Sequence, residues 1–119
     1  MINIKDQVYS LLEGVTDNVT DVYPKSAASM PAIQYTEEDN RVYEWTAEGE
    51  QRSYVRYRID IWNIGSTSSL AVEVDRRLSG FGLQRIGCSD IEDPNGFRHK
   101  VMRYEAIIDI DGFGIYHAN

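Results

Sequence analysis

The sequence predicts an α+β domain, an antiparallel β-sheet with two helices packed on one face. Three observations carry this prediction. The side chains from Ser53 to Asn63 alternate with a period of two, apolar residues recur at helical spacing in two separate segments, and the last third contains two strand-like arms joined by a Pro-Asn-Gly turn. A period of two is typical of half-buried strands and a period of 3.6 of helices. At 119 residues, the chain is expected to form one domain, residues 1–119.

The segment from Ser53 to Asn63 gives the clearest strand pattern in the chain. Its side chains alternate between an aliphatic set, Val55, Tyr57, Ile59 and Ile61, and a charged and aromatic set, Tyr54, Arg56, Arg58, Asp60 and Trp62. We expect the aliphatic set to pack inward and the second set, called here the charged–aromatic face, to point outward. Exposed Trp, Tyr and Arg side chains are those that protein interfaces favour. This face is therefore the predicted contact surface for a partner chain.

The predicted interface extends from this strand into the hairpin before it. Its residues are Trp45, Arg52, Tyr54, Arg56, Arg58 and Trp62. Two alternatives remain open. Tyr54 and Trp62 are also compatible with covering the sheet beside a neighbouring strand, and Arg56 with pairing internally to Glu105 or Asp60, where an exposed pair contributes only about 0–1 kcal/mol.

The first helix is predicted over residues 3–15. Asn3 is a candidate N-cap, Asp6 complements the helix dipole and Gly14 is a candidate stop. One face carries the apolar residues Ile4, Val8, Leu11, Leu12 and Val15.

The segment after this helix is predicted to contain short strands and loops. Residues 19–23 are predicted to form a short edge strand. Residues 32–45 are predicted to hold a strand at each end, separated by a loop at residues 37–40. Residues 45–51 are predicted to form a hairpin tip in which Gly49 adopts positive φ. We expect residues 37–40 and 46–51, together with the tail after Gly112, to be loosely held in an isolated subunit.

A second helix and a hairpin follow. The helix is predicted to start within residues 66–69 and to end at Gly80 or Gly82, with Glu73 and Arg77 forming a four-residue ion pair. Its apolar stripe is Leu70, Ala71, Val74, Leu78 and Phe81. The two apolar stripes are expected to cover Tyr57, Ile59 and Ile61 of the central strand. The hairpin arms are predicted at residues 83–91 and 98–110, joined by the turn at residues 93–96.

Composition excludes several classes of function. The formal net charge of −7 argues against a protein that coats nucleic acid, because phosphate binding needs a basic patch. No apolar run approaches the roughly 20 residues that cross a bilayer, and no secretory signal is visible at the N-terminus. The single cysteine, Cys88, cannot form an internal disulfide, so a reducing compartment, or a particle assembled in one, is expected.

The sequence predicts neither an enzyme nor a bound cofactor. The only histidines, His99 and His117, are not spaced with Cys88 as metal ligands are. The acidic segment at residues 90–96 superficially matches a calcium loop, but Pro94 occupies a ligand position and the closing acidic residue is missing. No nucleophile-elbow pattern surrounds any serine. We therefore expect no catalytic residues, no metal ligands and no cofactor.

Four stretches carry a resemblance to a known family: residues 54–62, 66–68, 93–96 and 99–105. With these stretches the chain resembles the small tail-completion proteins, also called tail terminators or tail-to-head joining proteins, of long-tailed bacteriophages and of prophages in Gram-positive bacteria. Size, acidity and the order of helix, strands, helix and hairpin agree with that family over nearly the whole chain.

The resemblance implies an α+β domain that forms a ring, often hexameric, which caps the tail tube and offers a face to the head connector. The implied partners are further copies of the chain, the tail-tube protein and the head-connector protein, with no sequence-specific nucleic acid binding and no membrane. The implied location is the tail–head junction of the virion, and the bacterial host cytoplasm during assembly. Another neck or adaptor protein of this junction, or a cellular non-enzymatic adaptor domain, remains an alternative, and gene neighbourhood distinguishes them.

Overall fold

The computed structural model describes residues 1–23, 30–112 and 114–116. Within them the chain forms two helices and six strands. In chain order these are α1 (Lys5–Leu12), β1 (Val19–Thr20), β2 (Ala32–Thr46), β3 (Gly49–Asn63), α2 (Ser68–Phe81), β4 (Gln84–Ile91), β5 (Arg98–Asp109) and β6 (Ile115–Tyr116).

The strands form one sheet in the order β1-β2-β3-β5-β4, and β6 pairs with the end of β5. All neighbouring strands are antiparallel except β1, which runs parallel to β2. The predicted α+β class is therefore confirmed. The predicted edge strand is also confirmed, although it covers only Val19–Thr20.

The core lies between the helices and one face of the sheet. The aliphatic set of β3 is fully buried there, as the alternation predicted. Residues of both helices join it in one cluster, with Val8, Leu12, Val74 and Leu78 fully buried and Leu11 and Leu70 partly buried. The inward orientation of Tyr57, Ile59 and Ile61 is thus confirmed.

Helix α1 is shorter than the predicted 3–15. Ile4, not Asn3, occupies the N-cap position, and the Asn3 side-chain oxygen accepts a hydrogen bond from the Lys5 amide at 3.0 Å. The helix ends at Leu12 with Glu13 as its C-cap, so it stops just before Gly14, which does not take the positive φ of a capping glycine. Gly14 instead allows a close approach, because a Cβ there would lie only 2.3 Å from the guanidinium of Arg77.

Helix α2 agrees closely with its prediction. Gly82 ends it in the left-handed conformation, with φ of 118°. Glu73 binds Arg77 at 2.8 Å, and it also binds Arg76 at 2.6 Å. These two arginines hold the pKa of the Glu73 carboxyl well below its usual range, at about 2.

The prediction of two strands around a loop at residues 37–40 is wrong. Strand β2 runs unbroken from Ala32 to Thr46 and absorbs the acidic stretch with a register shift between Glu37 and Asp39. The reason is that the carboxylates find partners within the sheet. Glu37 accepts a hydrogen bond from the buried phenol of Tyr57 at 2.9 Å, so its charge does not require a solvated loop.

Both predicted hairpin turns are confirmed. Gly49 has φ of 104° where β2 turns into β3, and Gly96 has φ of 80° between β4 and β5. After Gly112 the chain returns to the sheet as β6. Within that tail, residues 113 and 117–119 lie outside the described residues. Loose holding of residues 46–51 stays a prediction.

Candidate protein-interaction surface

The charged–aromatic face of β3 lies on the side of the sheet away from both helices. Cross-strand register places β5 side chains beside it, with Trp62 opposite His99, Arg58 opposite Arg103 and Arg56 opposite Glu105. Such directly opposed side chains contact one another across an antiparallel pair. The structure therefore connects the predicted interface residues to side chains of β2 and β5. Several of them make their polar and aromatic contacts within the sheet.

Trp62 is buried, contrary to the prediction that it is exposed. Only 4 % of its surface is accessible. Its ring stacks on the imidazole of His99 with 4.4 Å between centroids, and Tyr23 meets it edge-on at 5.4 Å. Trp62 thus covers the sheet beside a neighbouring strand, which is the alternative that the sequence left open.

Asp60 is the charged centre beneath Trp62, and its side chain is almost fully enclosed. Arg58 donates two hydrogen bonds to this carboxylate, from Nε at 2.8 Å and from a terminal nitrogen at 2.9 Å. On the other side, Nε2 of His99 lies 2.7 Å from Oδ2 of Asp60. Because a buried carboxylate is tolerated only when it is paired and hydrogen-bonded, this cluster maintains the local structure.

Tyr54 is also buried, with 7 % of its surface accessible, so its predicted exposure is wrong. Its hydroxyl donates a hydrogen bond to Glu105 at 2.5 Å, and the guanidinium of Arg41 lies 4.1 Å from its ring centre. Burial, together with the carboxylate of Glu105, raises the pKa of Tyr54. The ring and the hydroxyl are therefore both satisfied within the subunit.

Arg56 pairs internally, as the alternative allowed, but its partner is Glu38 and neither Glu105 nor Asp60. Its Nε lies 3.3 Å from Glu38, which also binds Arg103 at 3.1 Å. The reason is competition, since Tyr54 occupies Glu105 and Arg58 occupies Asp60. Glu38 joins β2 to both other central strands, and Arg56 remains partly exposed beside it.

The exposed part of the predicted interface is the hairpin arm, defined as residues 42–52. The last pairing of β3 with β5 is Arg52 with Asp109, and the Ile110 amide also donates to the Gln51 carbonyl at 3.2 Å. Beyond this point the described strands of the arm pair with each other. Trp45 is 68 % accessible in this arm, and Val42 and Tyr43 are also exposed. The arm therefore exposes three large apolar side chains to solvent.

Arg52 anchors the base of the arm instead of reaching into solvent. Its Nε donates to Asp109 at 2.8 Å, a terminal nitrogen lies 3.6 Å from Glu44, and its guanidinium lies 4.4 Å from the ring centre of Tyr116. The hydrogen bond from Arg52 lowers the pKa of the Asp109 carboxyl. Arg52 is thus predicted to orient the arm, and β6 takes part through Tyr116.

The N-terminal segment contacts the base of the hairpin arm. The amino group of Met1 binds Glu50, and the amide of Ile2 donates to the Ser53 hydroxyl at 3.2 Å. Asn40 donates its side-chain amide to the Ile2 carbonyl at 2.7 Å. The arm is therefore held at its base by contacts from outside the hairpin.

Neither a protein-family model nor a curated protein matches this sequence. Within the part of the chain that the structure describes, no three metal-binding side chains gather at one place, and neither helix is long and apolar enough to span a membrane. A shallow cleft of about 390 Å³ opens beside Trp62, lined by Tyr23, Gln34, Thr36 and the Asp60 cluster. In this cleft the side chain of His99 contacts Asp60 and stacks on Trp62.

The predicted interface residues therefore fall into two groups. Tyr54 and Trp62 are buried in the sheet. Trp45 is exposed, and Arg52, Arg56 and Arg58 are each paired within the sheet but stay partly accessible. The sequence reasoning missed the roles of Glu38 and His99 and the exposure of Val42 and Tyr43. No local signal marked the course of β2, because residues 37–41 are all polar and the strand carries a register shift between Glu37 and Asp39.

Proposed function

We propose that this chain is a structural protein of a bacteriophage or prophage that completes the tail. In this proposal it caps the tail tube as a ring, joins the tube to the head connector and catalyses no reaction. The observation that carries the proposal is the hairpin arm, which presents Trp45, Tyr43 and Val42 to solvent. The resemblance of the sequence to tail-completion proteins supports the identity of the partners.

The arm has the form that a ring contact requires. The subunit is elongated, 52 Å along its longest axis and about half that across, and the arm is secured by Arg52 and the N-terminal segment. Trp and Tyr are enriched among the residues that dominate binding at interface centres, and the arm exposes one of each. A secured arm that inserts into a different surface of the next subunit makes a head-to-tail contact, which closes into a ring when the rotation allows it.

Charge supports the same assignment. An excess of seven negative charges on a 119-residue chain repels DNA phosphates. A ring at the tail–head junction must let the genome pass without retaining it. An acidic wall meets that requirement, whereas a basic one would bind the DNA in a salt-dependent manner.

The test measures the mass of the purified protein by light scattering, with and without the tail-tube protein. We expect a ring-sized species, either alone or on the tube, and we expect Trp45→Ala to abolish it while the fold is retained. The control is Val72→Ala, which truncates an apolar side chain of similar exposure on α2 and should assemble normally. A protein that forms no ring-sized species, either alone or with the tube, would overturn the proposal.

A further inference from the structure

We propose that the outer edge of β4 pairs with β4 of a second copy of this chain. The two strands run antiparallel and join two subunits into one continuous sheet about a two-fold axis near Gly87 and Cys88. This contact lies outside the hairpin arm and does not rest on the proposed function.

The edge of β4 is open. The sheet order ends at β4, and among residues 1–23, 30–112 and 114–116 no strand pairs with its outer side. All eight residues of Gln84–Ile91 are exposed. A strand in this position presents a row of unpaired backbone amides and carbonyls, which is a template for a further strand.

The opposite edge of the sheet is better protected. There β1 covers Ile33 and Gln34 of β2, and β2 carries three register irregularities along the rest of its length. Bulges, Lys and Pro are common devices that prevent edge-to-edge pairing. Strand β4 contains neither Lys nor Pro and has one irregularity, between Arg85 and Gly87. Its Ile86 and Ile91 are both exposed, so this edge is the one that favours association.

The charges of β4 identify a second copy as the partner. Arg85 lies near one end of the strand and Asp90 near the other. Their β5 partners are Tyr104 and Lys100, which places both side chains on the helix side of the sheet. An antiparallel self-pair sets Arg85 of each copy beside Asp90 of the other, twice by symmetry, whereas a parallel pair sets like charges together. Opposite charges across a strand pair stabilise it and like charges destabilise it.

Both charges are accessible for this contact. Arg85 already lies 3.7 Å from Asp75, but half of its side chain remains exposed. Asp90 binds Lys100 at 2.9 Å while 78 % of its side chain is exposed. The Asp90 carboxylate of each copy therefore keeps free oxygen lone pairs for Arg85 of the other copy.

The test uses Cys88, the only thiol in the chain, as a probe near the two-fold axis. Mild oxidation, or a short bis-maleimide linker, should convert the wild-type protein into a covalent dimer on a non-reducing gel, because paired strands bring the thiols within bonding range. Trp45→Ala should give the same dimer, since the arm is not involved. Absence of the covalent dimer in the wild-type protein would overturn the proposal.

Two matched glycine variants separate pairing from random collision. A Cβ at Gly87 meets no atom within 4 Å, and the same is true at Gly80 on α2. Gly87→Lys places like charges at the axis and should abolish the covalent dimer, whereas Gly80→Lys should retain it. Equal cross-linking of the two variants contradicts the paired edge.

A charge exchange tests the register. Arg85→Asp and Asp90→Arg should each reduce the cross-linked fraction, and the double variant should restore it, because the exchanged charges again oppose each other. Circular dichroism confirms that each variant is folded. Failure of the double variant to recover, with folding intact, contradicts the antiparallel pairing proposed.

Discussion

Nε2 of His99 lies 2.7 Å from Oδ2 of Asp60, and both side chains are almost entirely enclosed. Trp62 stacks on the imidazole and Arg58 closes the other side of the carboxylate. This end of the charged–aromatic face is therefore held together within one subunit, and the surface available to partners shifts to the hairpin arm and to Arg56.

The two tryptophans are expected to respond oppositely to truncation. Trp62→Ala removes a buried ring and should lower the free energy of unfolding by about 3–5 kcal/mol. Trp45→Ala removes an exposed ring and should change it by no more than about 0.5 kcal/mol. Denaturant titration of both variants measures the difference. Equal losses of stability would show that the arm is packed as firmly as the sheet.

Charge reversal of Arg56 tests the exposed part of the face. Arg56→Glu loses a partly exposed pair with Glu38, worth about 0–1 kcal/mol, so the domain should stay folded. If the face contacts the tail tube or a neighbouring subunit, particles that carry this variant should have tails of irregular length or tails detached from heads. Electron microscopy of the particles provides the measurement.

Arg76→Glu is the matched control for that experiment, because Arg76 forms the same kind of exposed pair, with Glu73, on α2. It should leave tail length and head joining normal. Normal particles from both variants remove Arg56 from the interface.

The core prediction rests on Ile59, which is fully buried at the centre of β3. Ile59→Ala leaves a cavity between the sheet and both helices and should lower the free energy of unfolding by about 2–5 kcal/mol. Val72→Ala on the exposed face of α2 provides the control, expected within about 0.5 kcal/mol of the wild type. An unchanged melting temperature for Ile59→Ala would contradict the buried position.

The sequence predicted the sheet and its inward face because β3 and the helices obey simple periods. Every second residue from Val55 to Ile61 is aliphatic or aromatic, and the residues between them are mostly charged. Only one face of β3 can therefore pack against the helices. The turn glycines were also predictable, since Gly49 and Gly96 occupy positive φ. Local patterns that agree with the final packing are readable from sequence alone.

The burial of Trp62 and the unbroken course of β2 could not be predicted, for a shared physical reason. Each depends on a partner distant in the chain. Trp62 is covered by His99 and Tyr23, and the carboxylate of Glu38 is neutralised by Arg56 and Arg103. A local reading assigns a Trp beside arginines to an interface and adjacent acids to a loop, because it cannot identify such partners.

Hydrogen exchange is expected to distinguish the base of the arm from its turn. Within residues 33–40 of β2, the amides that bond to β3 should exchange slowly, contrary to the expectation that residues 37–40 are loosely held. Amides of residues 47 and 48 lie in the exposed turn and should exchange fast in the isolated subunit. Mass spectrometry of exchanged peptides gives both rates. Uniformly slow exchange across residues 46–51 contradicts the prediction that this segment is loosely held.

Two buried phenols make the fold sensitive to alkali. Tyr57 donates to Glu37 at 2.9 Å and Tyr104 to Asp75 at 2.8 Å. Burial, reinforced by those carboxylates, raises the pKa of both tyrosines far above the ordinary value of about 10. The folded protein therefore keeps both protons at a pH where the unfolded chain has lost them.

This difference fixes the sign of the pH dependence. Below pH 10 both states are protonated and the contribution of these phenols to stability is complete. Above it the native state binds more protons, so the free energy of unfolding falls as pH rises, by about 1.4 kcal/mol per pH unit for each tyrosine. Urea titrations between pH 9 and pH 11, at roughly half-unit steps, measure that slope.

Tyr104→Phe removes one of the two phenols, so the free energy of unfolding should fall less steeply with pH, by the contribution of one tyrosine. At neutral pH this variant should lose about 0.5–1.5 kcal/mol of stability, because the hydrogen bond is lost. Tyr43→Phe, which removes an exposed phenol of the arm, should keep the wild-type slope. Tyrosine absorbance should show the two buried phenols ionising only as the protein unfolds. A slope that is identical in all three proteins would mean that Tyr104 ionises as readily in the folded chain as in the unfolded one, contrary to its buried contact with Asp75.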